Sequence, residues 1–248
     1  MSNIVIMGAT GEVGTAISRY LSECGYEVIL HGYSNESKLS NLADEVSAKS
    51  IHLADVRSNN EIEDLFKKIA ESCSINGVVY SVGINPTAEP ISEIPFDVWE
   101  KTLDVNLNGA FLTLKHALPH LRCADDAAAV VVSSVFGLES PPNRGAYGAS
   151  KHGLTGLVQS AAREEAGEVR INGICPGPMW SENVREIFIR HARSVGISVD
   201  EYIKERQSQI PYGRFLELSE CASFVEFLLS DRSEFMTGEM MRVTGGEF

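Results

Sequence analysis

The chain contains no apolar run long enough to cross a membrane. Its longest uninterrupted apolar stretch, residues 127–132, has the length of one buried strand, whereas a spanning helix needs about 20 apolar residues. Residues 1–10 also lack the basic region that opens a secretory signal peptide. We therefore expect neither a signal peptide nor a membrane-spanning segment, and no membrane partner.

Cysteine is scarce, with five residues in a chain of 248. They are Cys24, Cys73, Cys123, Cys175 and Cys221, and no two of them form a C-x-x-C pair. An odd number of widely spaced cysteines predicts neither a disulfide framework nor a zinc site. We therefore expect no metal ion and a reducing compartment, the cytoplasm.

Basic residues are outnumbered by acidic ones, 21 against 34, which gives a net charge of −13. A surface of that charge repels phosphate backbones and argues against nucleic acid as a partner. It does not exclude an anionic nucleotide cofactor, because the backbone N–H groups of a helix N-terminus supply a local positive potential.

No internal repeat and no Gly/Ser/Pro-rich linker divides the chain, so we expect a single domain over residues 1–248. Short β-branched runs alternate with longer amphipathic stretches. The runs predict strands at about 3–7, 27–31, 50–53, 77–81, 129–133, 170–174 and 239–243. The stretches predict helices at about 12–24, 36–46, 59–72, 96–121, 147–166 and 218–229.

Continuous apolar strands that alternate with helices are typical of a parallel sheet covered on both faces. Right-handed crossovers then give an α/β fold, a Rossmann-like doubly wound sheet of seven parallel strands. One segment, about 178–215, departs from the alternation, and its pattern predicts two short helices rather than a strand. Such an excursion is either a lid over a pocket or a plain surface insertion.

The first predicted strand runs into the sequence GATGEVG, directly before a predicted helix. Its glycines would let a pyrophosphate approach the backbone, and the helix N-terminus would add unpaired N–H donors. The pattern is weak alone but stronger in the first strand-to-helix turn of an alternating chain. We predict dinucleotide binding here; the alternative is a tight turn that packs a helix on the sheet. The loop residues concerned are Gly8, Thr10, Gly11, Glu12, Val13 and Gly14.

The end of the second predicted strand bears on the choice of cofactor. A carboxylate at Gly32 or Tyr33 would favour NAD, and neither residue is acidic. Ser34, Asn35 and Lys38 could instead contact a 2′-phosphate, although no arginine supports this. We expect Tyr33 beside the cofactor as well. We therefore favour NADP(H), with NAD(H) as the alternative.

Two residues after the third predicted strand, Asp55 and Val56, lie where the adenine of a dinucleotide would be recognised. The alternative for Asp55 is a cap on the following helix. Ser58 is better placed for that role, since serine is a preferred N-cap residue.

The sequence YGASK places the phenol of Tyr147 four positions before the ammonium of Lys151. In a helix, positions i and i+4 share a face, so the lysine charge would lower the pKa of the phenol. A phenol so shifted is a usable proton donor near neutral pH. Taken alone, such a pair is more often a buried tyrosine beside a solvent-reaching lysine.

Five motifs in one order change that assessment. They are GATGEVG, DVNLNGAF at 104–111, VVVSSVFG at 130–137, YGASK and INGICPGPMWS at 171–181. With them the chain resembles the short-chain dehydrogenase/reductase family, in particular its compact 3-oxoacyl-carrier-protein-type ketoreductases. The resemblance covers nearly the whole chain, and the spacing of a serine before Tyr-x-x-x-Lys is highly specific.

The resemblance implies a role for each matching position. Ser134, thirteen residues before Tyr147, matches the serine that orients the substrate carbonyl, and its neighbour Ser133 fits less well. Tyr147 would be the general acid in reduction and the general base in oxidation. Lys151 would stabilise the phenolate and bind the nicotinamide ribose. Asn106 matches the asparagine that anchors a water linking Lys151 to solvent.

The resemblance also implies cofactor contacts beyond the glycine loop. Pro176 and Gly177 begin the segment that lines the nicotinamide. The backbone of Met179 would hold the carboxamide, and Ser181 replaces the usual threonine. Ser81 and Gly83 stand where family members carry the motif N-N-A-G, and we expect them beside the cofactor, as we do Tyr147 and Lys151.

Three departures from the family pattern are visible. Met7 replaces the threonine of T-G-x-x-x-G-x-G, and the glycines read G-x-x-G-x-x-G, as in the extended branch of the family. The sequence YSVG at 80–83 replaces N-N-A-G, which puts the support of the local strand in doubt. The chain lacks the long C-terminal domain of the extended branch, which argues against an epimerase.

These features predict an NAD(P)(H)-dependent oxidoreductase that transfers hydride between the cofactor and a ketone or secondary alcohol, acting as a ketoreductase. The alternative from another class is a non-catalytic dinucleotide-binding redox sensor. Retention of Asn106, Ser134, Tyr147 and Lys151 together argues against it. An enoyl reductase is disfavoured, because compact enoyl reductases of the family space the tyrosine and lysine more widely.

The substrate itself is not predicted. Pocket walls are expected from Asn85, Phe136, Leu138, Arg144 and Trp180, with Glu139, Asn183 and Ile187 nearby. Arg144, three residues before Tyr147, would pair a substrate carboxylate or phosphate, or else form an ordinary surface ion pair.

Two predicted helices, 96–121 and 147–166, suggest self-association. They carry apolar residues on more than one face, namely Phe111, Leu112, Leu114, Ala117, Leu154, Leu157, Val158 and Ala161. Members of the family commonly pair these helices with two-fold symmetry. We therefore expect a homotetramer or homodimer.

Overall fold

The computed structural model describes residues 2–247, apart from the side chain of Asn183, so the expectation for that side chain lies outside the described residues. The strands are β1 (Asn3–Met7), β2 (Glu27–Gly32), β3 (Ser50–Leu53), β4 (Gly77–Tyr80), β5 (Ala128–Val132), β6 (Arg170–Pro176) and β7 (Met240–Val243). They form one sheet in the order β3-β2-β1-β4-β5-β6-β7, and every neighbouring pair is parallel. The doubly wound fold is confirmed.

The helices cover both faces of the sheet. They are α1 (Glu12–Glu23), α2 (Glu36–Val46), α3 (Asn59–Ser72), α4 (Phe96–Leu103), α5 (Gly109–Leu121), α6 (Gly145–Glu164), α7 (Glu182–Val195), α8 (Val199–Ser208) and α9 (Leu218–Leu229). Two large apolar clusters fill the space between helices and sheet, one on each face. In an open sheet of this kind, ligands bind beyond the carboxyl ends of the strands, where the strand order reverses between β1 and β4.

Apolar periodicity located the elements well. Strands β1 and β3 and helices α2, α3 and α9 have the predicted bounds. The predicted helix 96–121 is instead divided by a π-helical segment, Asp104–Asn108, between α4 and α5. A π-segment is a single wider turn inside an otherwise continuous helix, and the residue types at 104–108 did not mark it in the sequence.

The departure YSVG does not leave β4 unsupported. The Ser81 hydroxyl donates a hydrogen bond of 2.7 Å to the Met7 carbonyl, and the Ser81 backbone N–H donates to the same oxygen at 3.0 Å. These bonds join the carboxyl ends of β1 and β4. Ser81 therefore replaces the support that the missing asparagine side chain put in doubt.

Residues 178–216 form the excursion between β6 and α9. They leave and return at one place, because Trp180 N–H donates to Leu216 O at 2.9 Å and Leu216 N–H donates to Pro178 O at 3.0 Å. The two predicted short helices are α7 and α8. Their apolar side chains form a third, separate cluster around Phe188, Ile210 and Phe215. We call residues 178–216 the lid segment.

The surplus of apolar side chains expected on the two long helices is mostly absorbed within the monomer. Leu114, Ala117, Leu154, Val158 and Ala161 are all buried. Phe111 stays 48% exposed, and Leu112 and Leu157 are half-buried. The expectation of several unburied faces was therefore wrong, since the sheet and neighbouring helices cover more of each helix than its periodicity suggested.

In the part of the chain that the structure describes, no helix has both the length and the apolar character needed to cross a bilayer.

Candidate active site

The π-helical segment positions Asn106 at the carboxyl edge of the sheet. Its side chain is fully buried and pairs with the backbone of Ile84: Oδ1 accepts from Ile84 N–H at 2.8 Å, and Nδ2 donates to Ile84 O at 3.0 Å. Nδ2 also donates to Ser150 Oγ at 2.9 Å, and the Ser150 hydroxyl donates to Tyr147 O at 2.7 Å. Asn106 thus joins the loop after β4 to helix α6.

Tyr80 explains why the helix changes pitch at this point. Its buried hydroxyl donates to the carbonyl of Val105, inside the π-helical segment. A Cβ at Gly109 would lie 2.4 Å from the Tyr80 hydroxyl oxygen, so only glycine fits there. The sequence N-x-x-G at 106–109 therefore supplies both Asn106 and, at Gly109, the space for the Tyr80 hydroxyl that binds the π-helical segment.

Ser134 and Tyr147 meet through their side chains. Ser134 follows β5 and caps a short 3-10 turn, in which its Oγ accepts from Phe136 N–H at 3.2 Å. Its hydroxyl acts on the phenol of Tyr147, which is on the first turns of α6, and lowers the pKa of that phenol. The Phe136 ring packs edge-on against the Tyr147 ring with the centroids 6.1 Å apart.

The protonation of Tyr147 differs from the expectation. Burial raises the pKa of the Tyr147 phenol above its ordinary value, and the Ser134 hydroxyl and the Arg144 charge oppose that rise only in part. The Lys151 ammonium lies 5.6 Å from the centre of the Tyr147 ring and donates to Val132 O at 3.1 Å. The spacing of four residues correctly predicted that Tyr147 and Lys151 share one face of α6. The Lys151 ammonium is, however, directed at the Val132 carbonyl and not at the phenol oxygen of Tyr147.

Lys151 is itself strongly perturbed. It is 4% exposed, and this burial lowers the pKa of its ammonium from 10.5 to about 8. Gly83 faces both this ammonium and Asn106, since a Cβ at Gly83 would lie 3.5 Å from Lys151 Nζ and from Asn106 Oδ1. Gly83 therefore keeps open the space that both polar groups face.

Sequence reasoning missed Cys175, a fully buried thiol on β6 beside these residues. Burial raises the pKa of this thiol, and the neighbouring Ser133 hydroxyl and Ser134 backbone oppose that rise in part. Ser133 also donates to Lys151 O at 3.2 Å. Ser133 thus donates to the Lys151 backbone and lies beside the Cys175 thiol, whereas Ser134 acts on the Tyr147 phenol. The choice of Ser134 as the catalytic serine stays a prediction.

The glycine loop is tightly constrained. Gly8 has φ +84°, and a Cβ there would lie 2.8 Å from Val82 Cγ2. A Cβ at Gly14 would lie 2.2 Å from Gly8 O, whereas at Gly11 the nearest atom is 3.4 Å away. Gly11 is the N-cap of α1 and makes no side-chain cap bond. The N-terminus of α1, with Glu12 and Val13 on its first turn, is therefore suited to an anionic group.

At the other end of the expected cofactor site, the structure adds an arginine. Arg57 follows β3, and its Nε and Nη2 donate to the Asp55 carboxylate at 2.9 and 2.6 Å. Its guanidinium also lies close enough to the Tyr33 side chain, which is 61% exposed, for the two groups to interact electrostatically. The parallel pairing of β2 with β3 brings these residues together. Because Tyr33 and Arg57 are far apart in the sequence, the sequence alone did not predict that they lie close together.

The other residues expected near the adenosine half of the cofactor have these positions in the structure. Asn35 caps α2, where its Oδ1 accepts from Lys38 N–H at 2.9 Å, and Ser34 beside it is exposed. Ser58 caps α3, and Asp55 instead accepts from Arg57. Val56 is 6% exposed, so only its backbone could face a ligand.

One cleft of about 670 Å³ connects the glycine loop with the region of Ser134 and Tyr147. It extends from Glu12 and Val13 at the glycine loop to Ser134 and Tyr147, and the lid segment contributes Val184, Ile187, Phe188 and Arg206. Pro176, Gly177, Met179 and Ser181 line its side, as expected for a nicotinamide-facing segment. Arg206 and Glu247 also line the cleft and were not anticipated, since nothing in their sequence context marks them.

The expected substrate residues divide into two sets. Asn85 and Phe136, with Glu139 and Ile187, line the cleft. Trp180 instead stacks on Phe215, with ring centroids 5.6 Å apart, inside the apolar cluster of the lid segment. Leu138 is half-buried at the end of the 3-10 turn, and its N–H donates to Val135 O at 2.9 Å.

Arg144 is occupied by the protein itself. Its Nη1 donates to Asn85 Oδ1 at 3.2 Å and to Pro86 O at 3.1 Å. It therefore ties the loop after β4 to the start of α6, and its charge acts on Tyr147 from outside the cleft lining. The geometry favours a positioning role over a substrate contact.

Comparison with known proteins agrees with this architecture. A family model described as enoyl-(acyl carrier protein) reductase matches residues 8–247. The 3-oxoacyl-(acyl-carrier-protein) reductase FabG of Staphylococcus aureus (strain Mu50) is 28% identical to the chain, over 98% of the chain and 97% of the reductase. The chain therefore belongs to the short-chain dehydrogenase/reductase family, as its motifs predicted, and is an NAD(P)-dependent oxidoreductase.

Two solved structures show the same fold over almost the whole chain. NAD⁺-bound xylitol dehydrogenase has a TM-score of 0.90 at 26% identity and covers 99% of this chain and 98% of its own. A variant of actinorhodin polyketide ketoreductase with NADPH has a TM-score of 0.89 at 25% identity and covers 99% of this chain and 96% of its own.

The residues present fit a nicotinamide dinucleotide. Gly8 and Gly14 keep the turn after β1 tight, because a Cβ at either position would collide with the protein's own atoms, and the N-terminus of α1, which no side chain caps, lies at the same turn. The cleft is lined both by the first turn of α1 and by Ser134 and Tyr147, so one elongated ligand could contact both. Polar groups at both ends and an apolar wall between them suit a dinucleotide.

Proposed function

We propose that the protein is a ketoreductase in which Ser134, Tyr147, Lys151 and Asn106 form the catalytic set. The observation that carries the proposal is that the side chains of Ser134 and Tyr147 together line a cleft that extends to the glycine loop. Two hydroxyl groups directed at one region of a cleft are suited to a carbonyl oxygen.

Ser134 and Tyr147 would act on that oxygen together. Both hydroxyls donate hydrogen bonds to it and stabilise the negative charge that develops there. A bound nicotinamide dinucleotide supplies or accepts the hydride. The raised pKa of Tyr147 keeps its phenol protonated at neutral pH, which suits a proton donor in the direction of ketone reduction.

Lys151 and Asn106 would support proton transfer. Lys151, with a pKa of about 8, carries its charge at neutral pH close to the Tyr147 ring. Its ammonium would stabilise the phenolate left after the Tyr147 Oη proton is donated. Asn106 holds the Ile84 backbone and Ser150, which fixes the wall of the space beside Lys151 through which a proton would be replaced.

The cofactor contacts follow the same placement. Gly8, Thr10, Gly11, Glu12, Val13 and Gly14 would hold the pyrophosphate; Ser81, Gly83, Pro176, Gly177, Met179 and Ser181 would hold the nicotinamide half; Asp55 and Val56 would read the adenine. Met179 and Ser181 line the cleft, and Ser181 caps α7 by accepting from Val184 N–H at 3.3 Å. The lid segment thus begins at the expected nicotinamide position.

NADP(H) is the cofactor that we propose. Gly32 offers no carboxylate to repel a 2′-phosphate, and Arg57 next to Tyr33 adds a positive charge that the chain order did not suggest. Asp55 neutralises part of that charge through its two bonds to Arg57. The preference should therefore be moderate, and the related structures with NADPH and NAD⁺ are compatible with either cofactor.

An enoyl reductase is the second candidate, because the matching family model carries that description. The three residues between Tyr147 and Lys151 argue against it. A panel of 3-oxoacyl thioesters, enoyl thioesters, polyols and cyclic ketones separates the two, since only a ketoreductase oxidises NADPH with a ketone. Cofactor binding without turnover of any member would favour the redox sensor.

The decisive variant is Tyr147→Phe, which removes only the phenolic proton donor. Loss of a general acid should lower kcat by about 10²–10⁴-fold, while the NADPH affinity measured by fluorescence titration stays within about twofold. Tyr212→Phe, at an exposed tyrosine, is the matched control and should keep full activity. Activity of Tyr147→Phe within about tenfold of wild type would exclude the assigned role.

We further propose a homotetramer or homodimer in a reducing cytoplasm. Exposed Phe111 on α5 is the anchor that supports self-association, although most of its apolar neighbours are buried in the monomer. All five cysteines are free thiols, which suits a reducing compartment. Light scattering at micromolar concentration tests the assembly, and a monomer mass would refute it.

A further inference from the structure

His31 lies near the carboxyl end of β2, and the mechanism described above assigns it no role. It is 2% exposed, in a strand whose other core-facing positions are apolar. A buried imidazole that contacts neither substrate nor the catalytic set needs a reason, since burying a polar group without partners destabilises the fold.

Both ring nitrogens of His31 have backbone partners. Nδ1 accepts a hydrogen bond from Gly8 N–H at 3.2 Å, and Nε2 lies 2.9 Å from Ala54 O. An amide N–H can only donate and a carbonyl can only accept. The proton is therefore on Nε2 and absent from Nδ1, so the two neighbours fix one neutral tautomer.

The two partners belong to different parts of the expected cofactor site. Gly8 is the first glycine of the loop and has a positive φ, so its peptide orientation decides where the following N–H groups lie. Ala54 directly precedes Asp55, at the expected adenine position. The His31 backbone carbonyl also accepts from Ala9 N–H at 2.9 Å. One residue thus connects the turn after β1 to the turn after β3.

We propose that His31 is a positioning residue for the dinucleotide: its neutral imidazole holds the glycine loop and the turn after β3 at the separation that the cofactor requires. The inference rests on the proposed placement of the cofactor. It assigns His31 no part in hydride or proton transfer, so its loss should alter cofactor binding and leave turnover at saturating cofactor largely unchanged.

Acid should release this contact. Burial lowers the pKa of His31 to about 4; the charge of His52 on β3 adds to the lowering, while the Ala54 carbonyl and the Asp55 carboxylate oppose it. A proton on Nδ1 would face the Gly8 N–H, and the hydrogen bond that sets the loop would be replaced by a repulsive contact. Cofactor affinity should therefore fall as the pH approaches that range.

The test compares His31→Leu with His31→Gln. Leucine removes both hydrogen bonds, so the glycine loop loses the contact that sets its position, and NADPH binding should weaken about tenfold or more. Glutamine offers one acceptor and one donor and cannot be protonated, so it should bind within about threefold of wild type. His52→Gln, half-buried on the adjacent strand and bonded to Ser50, is the matched control.

Fluorescence titration of NADPH and NADH, thermal unfolding of the free protein and kcat at saturating cofactor are the readouts. From about pH 7 to about pH 4, wild type should lose affinity more steeply than His31→Gln. Unchanged affinity in a folded His31→Leu protein would overturn the inference, as would a lower melting temperature in both variants with unchanged affinity.

If His31→Leu does not fold, the pH titration decides, and parallel loss of affinity in wild type and His31→Gln overturns the inference. If the wild-type protein binds neither NADPH nor NADH, the proposed function itself has failed. That result is distinct from a protein that binds cofactor without needing His31.

Discussion

The catalytic set and the lid segment face the same cleft but are stabilised in different ways. Asn106 and Lys151 are buried at the carboxyl ends of the central strands, and backbone groups of Ile84 and Val132 hold them. No residue of α8 is buried, and the lid segment is held by a small aromatic cluster of its own. Two large apolar clusters lie beneath the first region and neither includes the centre of the second.

This difference teaches that one site combines a fixed part and a variable part. The reacting groups are positioned by the sheet, where a shift of one side chain would disturb the main core. The cleft wall above them depends on a few rings, whose replacement should affect substrate contact while leaving the sheet intact. Chemistry and substrate choice are therefore expected to respond to different mutations.

The largest effect should come from Lys151→Met, which keeps the length of the side chain and removes its charge. Turnover should fall by about 10²–10⁴-fold, because the phenolate at Tyr147 loses its stabilising ammonium. Steady-state kinetics with NADPH and the best ketone of the panel measure the loss. Lys68→Met, at an exposed lysine, is the control and should keep wild-type turnover.

The same variant should make the free protein more stable at neutral pH. Burial lowers the pKa of Lys151 to about 8, below its ordinary 10.5, so the unfolded chain binds more protons between these values. Burial of the Lys151 ammonium therefore lowers the free energy of unfolding by its full amount below about pH 8, and this loss disappears as the pH rises toward 10.5. Lys151→Met should therefore gain up to about 3 kcal/mol in unfolding free energy at pH 7. Denaturant unfolding measures this, and a loss of stability would contradict it.

An intermediate effect is expected from Phe188→Ala in the lid segment. Phe188 is 8% exposed and contacts the rings of Trp180, Tyr202 and Phe215. Its loss should raise the substrate KM about tenfold, while cofactor affinity and the melting of the main core change little. Hydrogen exchange should accelerate in α7 and α8 alone.

Alanine substitutions at two other phenylalanines are the controls for Phe188→Ala. Phe96→Ala, at a ring that is 70% exposed, should change neither KM nor exchange. Phe66→Ala, in the main core, should lower global stability by about 3–5 kcal/mol. If Phe188→Ala lowers global stability as much as Phe66→Ala does, the lid segment is not energetically separate and the comparison fails.

The smallest effect concerns cofactor choice at Gly32. A Cβ there would lie 3.3 Å from Leu39 Cδ2, so a side chain fits with a small shift. Wild type should prefer NADPH on the order of tenfold to a hundredfold, since neutral hydrogen bonds contribute about 0.5–1.5 kcal/mol each. Gly32→Asp should reverse the preference through repulsion of the 2′-phosphate and new bonds to the free ribose hydroxyls.

The measurement is kcat/KM for NADPH and NADH on both proteins. Gly156→Asp adds the same charge on α6, where a Cβ would have no neighbour within 4 Å, and should leave the preference unchanged. A wild-type preference for NADH would show that the end of β2 was misinterpreted, despite the presence of Arg57.

Much of the fold could be predicted because it follows from local periodicity. The apolar runs at β1 and β3 and the amphipathic stretches at α2, α3 and α9 end where turn and capping residues stand, such as Ser58 before α3. The candidate site was predictable where residues are close in sequence, as with Tyr147 and Lys151, or where a motif resembles a known family, as with Ser134 and Asn106.

The remaining features depend on contacts between distant parts of the chain. Arg57 reaches Tyr33 because β2 and β3 pair in parallel. Leu114 on α5 and Val158 on α6 are buried within the monomer's own core, which the periodicity of each helix alone could not show. Trp180 was expected in the cleft and packs in the lid cluster instead. Its ring stacks on Phe215, which lies at the other end of the lid segment and is brought to Trp180 only by the fold.

By itself, the sequence determined the alternation of strands and helices, the glycine turn and the spacing of the serine, tyrosine and lysine, because each is set by neighbours within a few turns of chain. Only the tertiary structure decided the protonation of those groups. Burial raises the pKa of Tyr147 and lowers that of Lys151, and the Gly8 and Ala54 backbones fix the tautomer of His31. Solvation and hydrogen bonding depend on everything that surrounds a group in space, which the order of residues along the chain does not specify.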